Sequence, residues 1–279
     1  MPELPEVETI RRDLEKEAVG KRIKTVEVTG TRSIRRHTNK KQFISRLEGR
    51  KITGVDRKGK YLLVKLEGAD YLVIHLGMSG QLLWSKSAKE EKAKHTHVVV
   101  SFTTAGQLRF LDPRTFGELF VTAVDELESA VPELAHLGFD PVEEAISWTV
   151  FGEMLHSKHR KLKDLLMDQK FIAGIGNLYS DEILFAAGLR YDRSSETLSS
   201  QEVRRLYRAM VETLQDAIKH RGSSLSDEQY RDLFGNTGEY QHMHKVYDRE
   251  GQACRRCRST IARVKFNGRS SFLCPQCQV

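Results

Sequence analysis

The chain has 279 residues, enough for one large or two modest domains with a real core. Lysine and arginine outnumber aspartate and glutamate by 45 to 38, a net charge of +7. The pI is near 9.2, which favours a polyanionic partner and decides nothing about fold. No apolar run reaches the roughly 18 residues of a membrane span and no leader pattern is visible, so a cytoplasmic chain with no membrane partner is expected. The charge is segregated: residues 21–60 hold fourteen basic against three acidic residues, 254–279 hold six against none, and 124–144 hold seven acidic and no basic ones. Basic surfaces joined through an acidic connector suit a nucleic-acid cleft better than evenly scattered solvated lysines do.

In chain order, Pro2 comes first. If Met1 is removed, its nitrogen becomes a secondary amine, partly neutral near pH 7 and able to form an iminium at a sugar C1′. Glu3 beside it can serve as general acid or base. An ordinary exposed start is the plain alternative. Pro5 suits a first helical turn and Gly20 a stop, with Val7, Ile10, Leu14 and Ala18 on one face. The helix dipole there favours ionised Glu3 and Glu6. Short β-rich runs follow at 22–28, 51–56, 60–66, 71–76, 97–102, 107–111 and 118–121, the pattern of an antiparallel sandwich or barrel. After the acidic connector, 148–166 and 177–187 read as helices, the second stopped by Gly188. Ser199 with Glu202 forms a capping box opening a long helix striped with Val203, Leu206, Met210, Leu214 and Ile218. Residues 222–246, rich in Ser, Gly, Asn and Asp, read as a mobile loop.

Cys254-x2-Cys257-x16-Cys274-x2-Cys277 holds all four cysteines. Two CxxC pairs at this separation can present four thiolates to one structural Zn²⁺, which would stabilise a hairpin with too little core to fold unaided. That hairpin carries Arg263, Lys265 and Arg269 and no acid, which suits a phosphate backbone. Gly174-Ile175-Gly176-Asn177 opens a helix and can cradle a phosphate, or be a plain helix–helix turn; it matches no dinucleotide fingerprint and no Walker motif. Arg57-Lys58-Gly59-Lys60 leads into a strand. His75-Leu76-Gly77-Met78-Ser79-Gly80 and Asp112-Pro113-Arg114-Thr115-Phe116-Gly117 are turns presenting Met78, Arg114 and Phe116, either core residues or wedges that fill the gap left by an extruded base.

These pieces resemble the formamidopyrimidine-DNA glycosylase family, bacterial enzymes that remove oxidised purines such as 8-oxoguanine. The resemblance runs nearly end to end. It is carried by MPELPEVE at the start, RKGKYLL at 57–63, HLGMSG at 75–80, DPRTFG at 112–117, DQKFIAGIGNLYSDEILF at 168–185 and the four-cysteine end. It implies a multidomain α+β fold. An N-terminal helix and antiparallel β-sandwich at 1–131 would be followed by a helix-two-turn-helix domain at 132–240, with a lesion-covering loop at about 222–246, and a zinc-finger β-hairpin at 245–279. It implies a monomer that binds double-stranded DNA containing oxidised purines or abasic sites and acts as a glycosylase and abasic-site lyase.

By the same resemblance Pro2 is the nucleophile and Glu3 the proton donor or acceptor. Lys60 holds the lesion's phosphate and assists β-elimination, and Arg269 assists δ-elimination. His75, His95, Arg114, Lys158 and Asn177 match DNA-contacting positions, while Met78, Arg114 and Phe116 fill the void. Thr115 stands where a second basic residue is common, and His244 where an apolar one is usual. His242 and His244 are expected as solvent-exposed histidines, with a second metal site as the other reading. Two other functions remain open: an endonuclease VIII-like glycosylase for oxidised pyrimidines, and a non-catalytic zinc-ribbon DNA-binding protein.

Overall fold

A computed structural model describes residues 1–226 and 229–279; part of the loop expected at 222–246 therefore lies outside the described residues. The chain forms two compact units. One comprises Met1–His136 and His220–Glu239, the other Leu137–Lys219 and Tyr240–Val279.

The first unit opens with α1 (Leu4–Ala18), which carries Pro5 in its first turn. The strands follow as β1 (Ile23–Val28), β2 (Ile52–Lys58), β3 (Tyr61–Leu66), β4 (Asp70–His75), β5 (Gln81–Ser85), β6 (Thr96–Phe102), β7 (Gln107–Leu111) and β8 (Glu118–Ala123). They pair antiparallel into two four-stranded sheets, ordered β1-β6-β7-β5 and β2-β3-β4-β8. Val26, Val98, Val100 and Phe110 of the first sheet share one buried cluster with Val55, Leu62, Val64, Ile74 and Val121 of the second. Val7, Ile10 and Leu14 of α1 join the same cluster. Alternate residues thus face the shared core, as a two-sheet layer requires.

Several elements went unread in the sequence. The helix α2 (Lys40–Leu47) lies in a strongly basic stretch and buries only Phe43 and Leu47, but Asn39 caps it by accepting from the Gln42 amide at 2.9 Å. The strand β5 sits at a sheet edge, where the Trp84 amide donates to the Leu233 carbonyl at 2.7 Å instead of to a neighbouring strand. The acidic connector folds into two single-turn helices, α3 (Leu127–Ala130) and α4 (Pro132–Ala135).

The described part of 220–239 is pinned rather than loose. Arg221 pairs with both Asp13 and Asp232. One Asp232 oxygen accepts the amides of Phe234 and Asn236, at 2.9 and 2.8 Å, an aspartate ordering its own turn.

In the second unit the helix read across 148–166 is broken into α5 (Trp148–His156) and α6 (Leu162–Leu166). His159 takes a positive φ of 44°, and the Leu162 amide bonds the Arg193 carbonyl at 2.8 Å, so the ladder cannot run through. Apolar periodicity continued across the break because both pieces bury their leucines. The helix α7 (Asn177–Ala187) stops at Gly188, which is left-handed at φ 70°. The helix α8 (Ser200–Lys219) starts with its capping box formed: the Ser199 amide donates to Glu202 Oε2 at 2.8 Å and the Glu202 amide to Ser199 Oγ at 3.3 Å. A hairpin of β9 (Ala262–Phe266) and β10 (Arg269–Leu273) ends the fold. Its turn residues Asn267 and Gly268 both have positive φ, 47° and 80°, the conformation an Asn-Gly hairpin favours. No helix among the described residues is long and apolar enough to cross a membrane.

Candidate active site and metal centre

The N-terminal motif is held through Glu6 and Glu8 within the first unit. Pro2 is buried, and Met1 before it is exposed. Glu3 is the N-cap of α1 and only 6% exposed. Its amide donates to Glu6 Oε2 at 2.8 Å, while Glu6 Oε1 accepts the Ser223 amide at 2.8 Å. One buried carboxylate therefore ties the cap of α1 to the 220–239 segment.

One turn later Glu8 meets Arg57 of β2. The Arg57 Nε donates to Glu8 Oε2 at 3.0 Å and its Nη1 to the Gly59 carbonyl at 3.0 Å. Burial works against the Glu8 charge, but hydrogen bonds from Arg11 and Arg12 and the field of Arg57 outweigh it and hold this carboxyl below its usual range. The cluster bolts α1 to the β2–β3 turn. Gly59 has φ +56° there, a conformation glycine adopts freely, and Lys60 follows it. His75 pairs across from Tyr61 in the β3–β4 ladder, with rings 4.6 Å apart. Burial, and to a lesser degree the Lys60, Arg35 and Arg36 cations, push His75 down to about 4 against the pull of Glu118. It is a neutral imidazole at neutral pH, able to donate or accept but not to act as a fixed cation.

The turns at 75–80 and 112–117 form one structure. Gly77, at φ +62°, lies so close to the second turn that an added Cβ would sit 2.6 Å from the Gly117 nitrogen. Asp112 is fully buried and organises the pair. Its Oδ1 accepts from Ser79 Oγ at 2.5 Å and from the Arg114 amide at 3.2 Å, and its Oδ2 accepts the Gly117 amide at 2.7 Å. The result projects Met78 (41% exposed) and Phe116 (45% exposed) into solvent, with the Arg114 guanidinium 5.0 Å above the Phe116 ring. His95, exposed at φ +64°, joins through its carbonyl, which accepts the Asp112 amide at 3.1 Å.

The second unit carries the remaining candidates. Asn177 is the first residue of α7, and its Nδ2 donates to the Ser270 carbonyl at 3.0 Å. Its Oδ1 is buried without a partner among the described residues. Asp181, one turn on, receives Lys163 Nζ at 2.6 Å, Ser271 Oγ at 2.7 Å and the Phe272 amide at 2.9 Å. Glu182 takes the amides of Lys245, Val246 and Tyr247, the closest at 2.8 Å. Asn177 and Asp181 thus fix the hairpin from which exposed Arg269 projects, while Glu182 fixes the segment 245–247 that precedes it. Lys158 is exposed just past α5, and among the described residues no hydrogen bond links it to the other candidates.

The four cysteine sulfurs lie within 4.8 Å of one another. The Cys254–Cys277 and Cys257–Cys274 separations are 3.9 and 3.4 Å. A tetrahedral ion with bonds of about 2.3 Å needs thiolates about 3.8 Å apart, so this donor set fits a metal. The expected exposed pair at 242 and 244 is corrected for His244, which is 3% exposed and packs edge-on against Tyr240 and Tyr247, each at 5.8 Å. The two tyrosine rings accommodate a neutral imidazole at this buried position. The four cysteines are the only metal-competent group among the described residues.

Glu8, Asp112 and Asp181 were not singled out from sequence. A short-range signal existed only for Asp112, an aspartate opening an Asp-Pro turn.

Family comparisons agree with this arrangement. Residues 1–119 match the formamidopyrimidine-DNA glycosylase N-terminal domain, 137–229 the formamidopyrimidine-DNA glycosylase H2TH domain, and 251–279 the zinc finger found in FPG and IleRS. Together they define a DNA base-excision enzyme with a helix-two-turn-helix domain and a terminal four-thiol finger. A formamidopyrimidine-DNA glycosylase of Pelotomaculum thermopropionicum is 40% identical over 278 residues, covering 100% of this chain and 99% of that protein. The Lactococcus lactis Fpg, solved in complex with DNA containing an abasic site, superposes with a TM-score of 0.89 at 34% identity, covering 99% of both chains. The MutM (Fpg) protein of Thermus thermophilus gives a TM-score of 0.88 at 40% identity, covering 99% of this chain and 98% of that one. The chain belongs to the formamidopyrimidine-DNA glycosylase family, and it is a DNA glycosylase of base excision repair.

Proposed function

We propose that this protein excises oxidised purines, 8-oxoguanine and formamidopyrimidines, from double-stranded DNA and then cuts the strand by β,δ-elimination. Removal of Met1 frees the Pro2 nitrogen as a secondary amine. It attacks C1′ of the extruded nucleotide, the glycosidic bond breaks, the base leaves with a proton, and an iminium joins Pro2 to the ring-opened sugar. Glu3 moves the protons of ring opening and elimination. Lys60 holds the phosphate and assists β-elimination, and Arg269 assists δ-elimination. His75, His95, Arg114, Lys158 and Asn177 contact the DNA, and Met78, Arg114 and Phe116 occupy the emptied stack. Extrusion costs a few kcal/mol, less for a badly stacked lesion.

The observation that carries this reading is the anchorage of Pro2 and Glu3. A reactive terminus must be held still, and α1 is capped through Glu6 and bolted through Glu8 and Arg57 to the turn carrying Lys60. The thiolates of Cys254, Cys257, Cys274 and Cys277 would hold one Zn²⁺, which supplies folding stability to the hairpin rather than chemistry. We further propose that the protein works as a monomer.

Borohydride reduction on an 8-oxoguanine duplex tests the mechanism. The parent protein should give a covalent adduct whose mass lacks Met1, and Pro2→Gly should give almost none. An untrappable parent protein would overturn the proposal.

A further inference from the structure

The helix α8 has a face that neither the core nor the candidate site uses. Gln201, Arg204, Arg205 and Arg208 recur at i, i+3, i+4 and i+7 and are all exposed, so three guanidinium groups line one side of the helix. Beside them Trp148, at the start of α5, and Tyr207 complete a groove of about 420 Å³. The aromatic wall is rigid: the Tyr207 hydroxyl donates to the Ile146 carbonyl, and its ring lies 5.5 Å from that of buried Phe151.

The charges on this face are not balanced from within. Arg208 pairs with exposed Glu212 at 2.7 Å, while Arg204 and Arg205 have no ion-pair partner among the described residues. Arg204 and Arg208 form a like-charged i, i+4 pair, an arrangement that destabilises a helix. An anion on this face would relieve that repulsion. Trp148 and Tyr207 add a requirement that a simple anion does not meet, since they offer apolar surface inside a concavity.

We propose that this groove docks an acidic peptide segment of a partner protein. A large apolar side chain of the peptide seats against Trp148 and Tyr207, and its carboxylates engage Arg204 and Arg205. Guanidinium groups bind carboxylates through paired N–H donors, and Trp, Tyr and Arg are the residues that anchor protein interfaces most strongly. Duplex DNA fits less well. It offers an outward ridge of phosphates that needs positive charge on an open surface, and its backbone leaves an aromatic-walled pocket unused. None of the groove's six lining residues is among the candidate catalytic, DNA-binding or metal-binding residues, so occupancy is compatible with the glycosylase reaction.

Fluorescence anisotropy of the full chain, with excess abasic-analogue duplex present to occupy DNA-binding surfaces, tests the proposal. The probe is a fluorescein-labelled decapeptide with six acidic residues around one phenylalanine. Saturable binding in the micromolar range is expected. Binding should weaken at least tenfold in Arg204→Glu/Arg205→Glu and severalfold in Trp148→Ala, or when serine replaces the peptide's phenylalanine. The milder Arg204→Gln/Arg205→Gln, which keeps helix propensity, should also weaken it. Excision of 8-oxoguanine and affinity for undamaged duplex should stay within twofold in all three variants. Absence of saturable binding, or equal binding by both double variants and the parent, would overturn the proposal. So would a parallel loss of duplex affinity, which would assign the face to DNA.

Discussion

Replacing Gly222 by alanine probes the joint between the N-terminal end of α1 and the 220–239 segment. Gly222 has φ +75°, and a Cβ there would lie 2.7 Å from Glu6 Oε1, 2.9 Å from Cγ and 3.1 Å from Cδ. The left-handed conformation alone costs alanine about 1 kcal/mol. The larger cost comes from Glu6, which must swing away. That carboxylate holds the Glu3 and Ser223 amides, each at 2.8 Å, and losing one charged hydrogen bond costs about 1.5–3 kcal/mol. Gly222→Ala should therefore lose roughly 2.5–4 kcal/mol of stability in urea unfolding at pH 7. Its single-turnover excision rate should fall as well, because Glu3 caps the helix that Glu6 braces. A cycle with Glu6→Ala sharpens the test. The clash exists only while Glu6 is present, so the double variant should be more stable than the sum of the two losses implies, by at least about 1 kcal/mol. Strict additivity, or a Gly222→Ala protein within about 0.5 kcal/mol of the parent, would refute the reasoning.

Three further outcomes are expected. Thr115 is β-branched yet sits at φ +57° in the 112–117 turn, so Thr115→Asn, which tolerates that region, should raise Tm by roughly 1–3 °C; a lower Tm would show that the threonine side chain is needed there. His244 is pushed by burial down to about 4 from 6.5. The unfolded chain then binds the proton first, and the native state loses stability as pH falls from about 6.5 through 4, by roughly 3 kcal/mol in all. His244→Leu removes that penalty, so the stability difference between the two proteins should move toward the variant by about 2 kcal/mol between pH 7.5 and 4.5; a pH-independent difference would contradict the assignment. Finally, the core beside the finger is small, with Phe185, Val246, Ile261 and Phe272 packed around the thiols. Cys257→Ser should accordingly abolish DNA binding while the first unit stays folded by circular dichroism, and retained nanomolar affinity would count against a metal-dependent clamp.

Much of the architecture was readable from local pattern. Pro5 and Gly20 bracketed α1, seven of the eight sandwich strands showed as short β-rich runs, and Gly188 and the Ser199–Glu202 box marked helix ends, because each signal acts within a few residues. The errors came where distant partners overrule local preference. The bond from Leu162 to the Arg193 carbonyl ends a helix that periodicity would continue, and Tyr240 and Tyr247 bury a histidine that composition would leave in water.

The same division runs through the candidate site. Sequence alone named the chemistry: a proline that can become a terminal amine, a neighbouring glutamate, wedge turns rich in glycine, and four thiols at metal-binding spacing. These depend on residue type and short separations. What holds them was decided only in three dimensions. Glu6 reaches an amide 217 positions away, Arg57 reaches Glu8 across 49, and Asp181 fixes the hairpin across 91. A buried carboxylate looks like any surface one in a linear chain, because its partners and the loss of water around it exist only once the sheets and helices have closed over it.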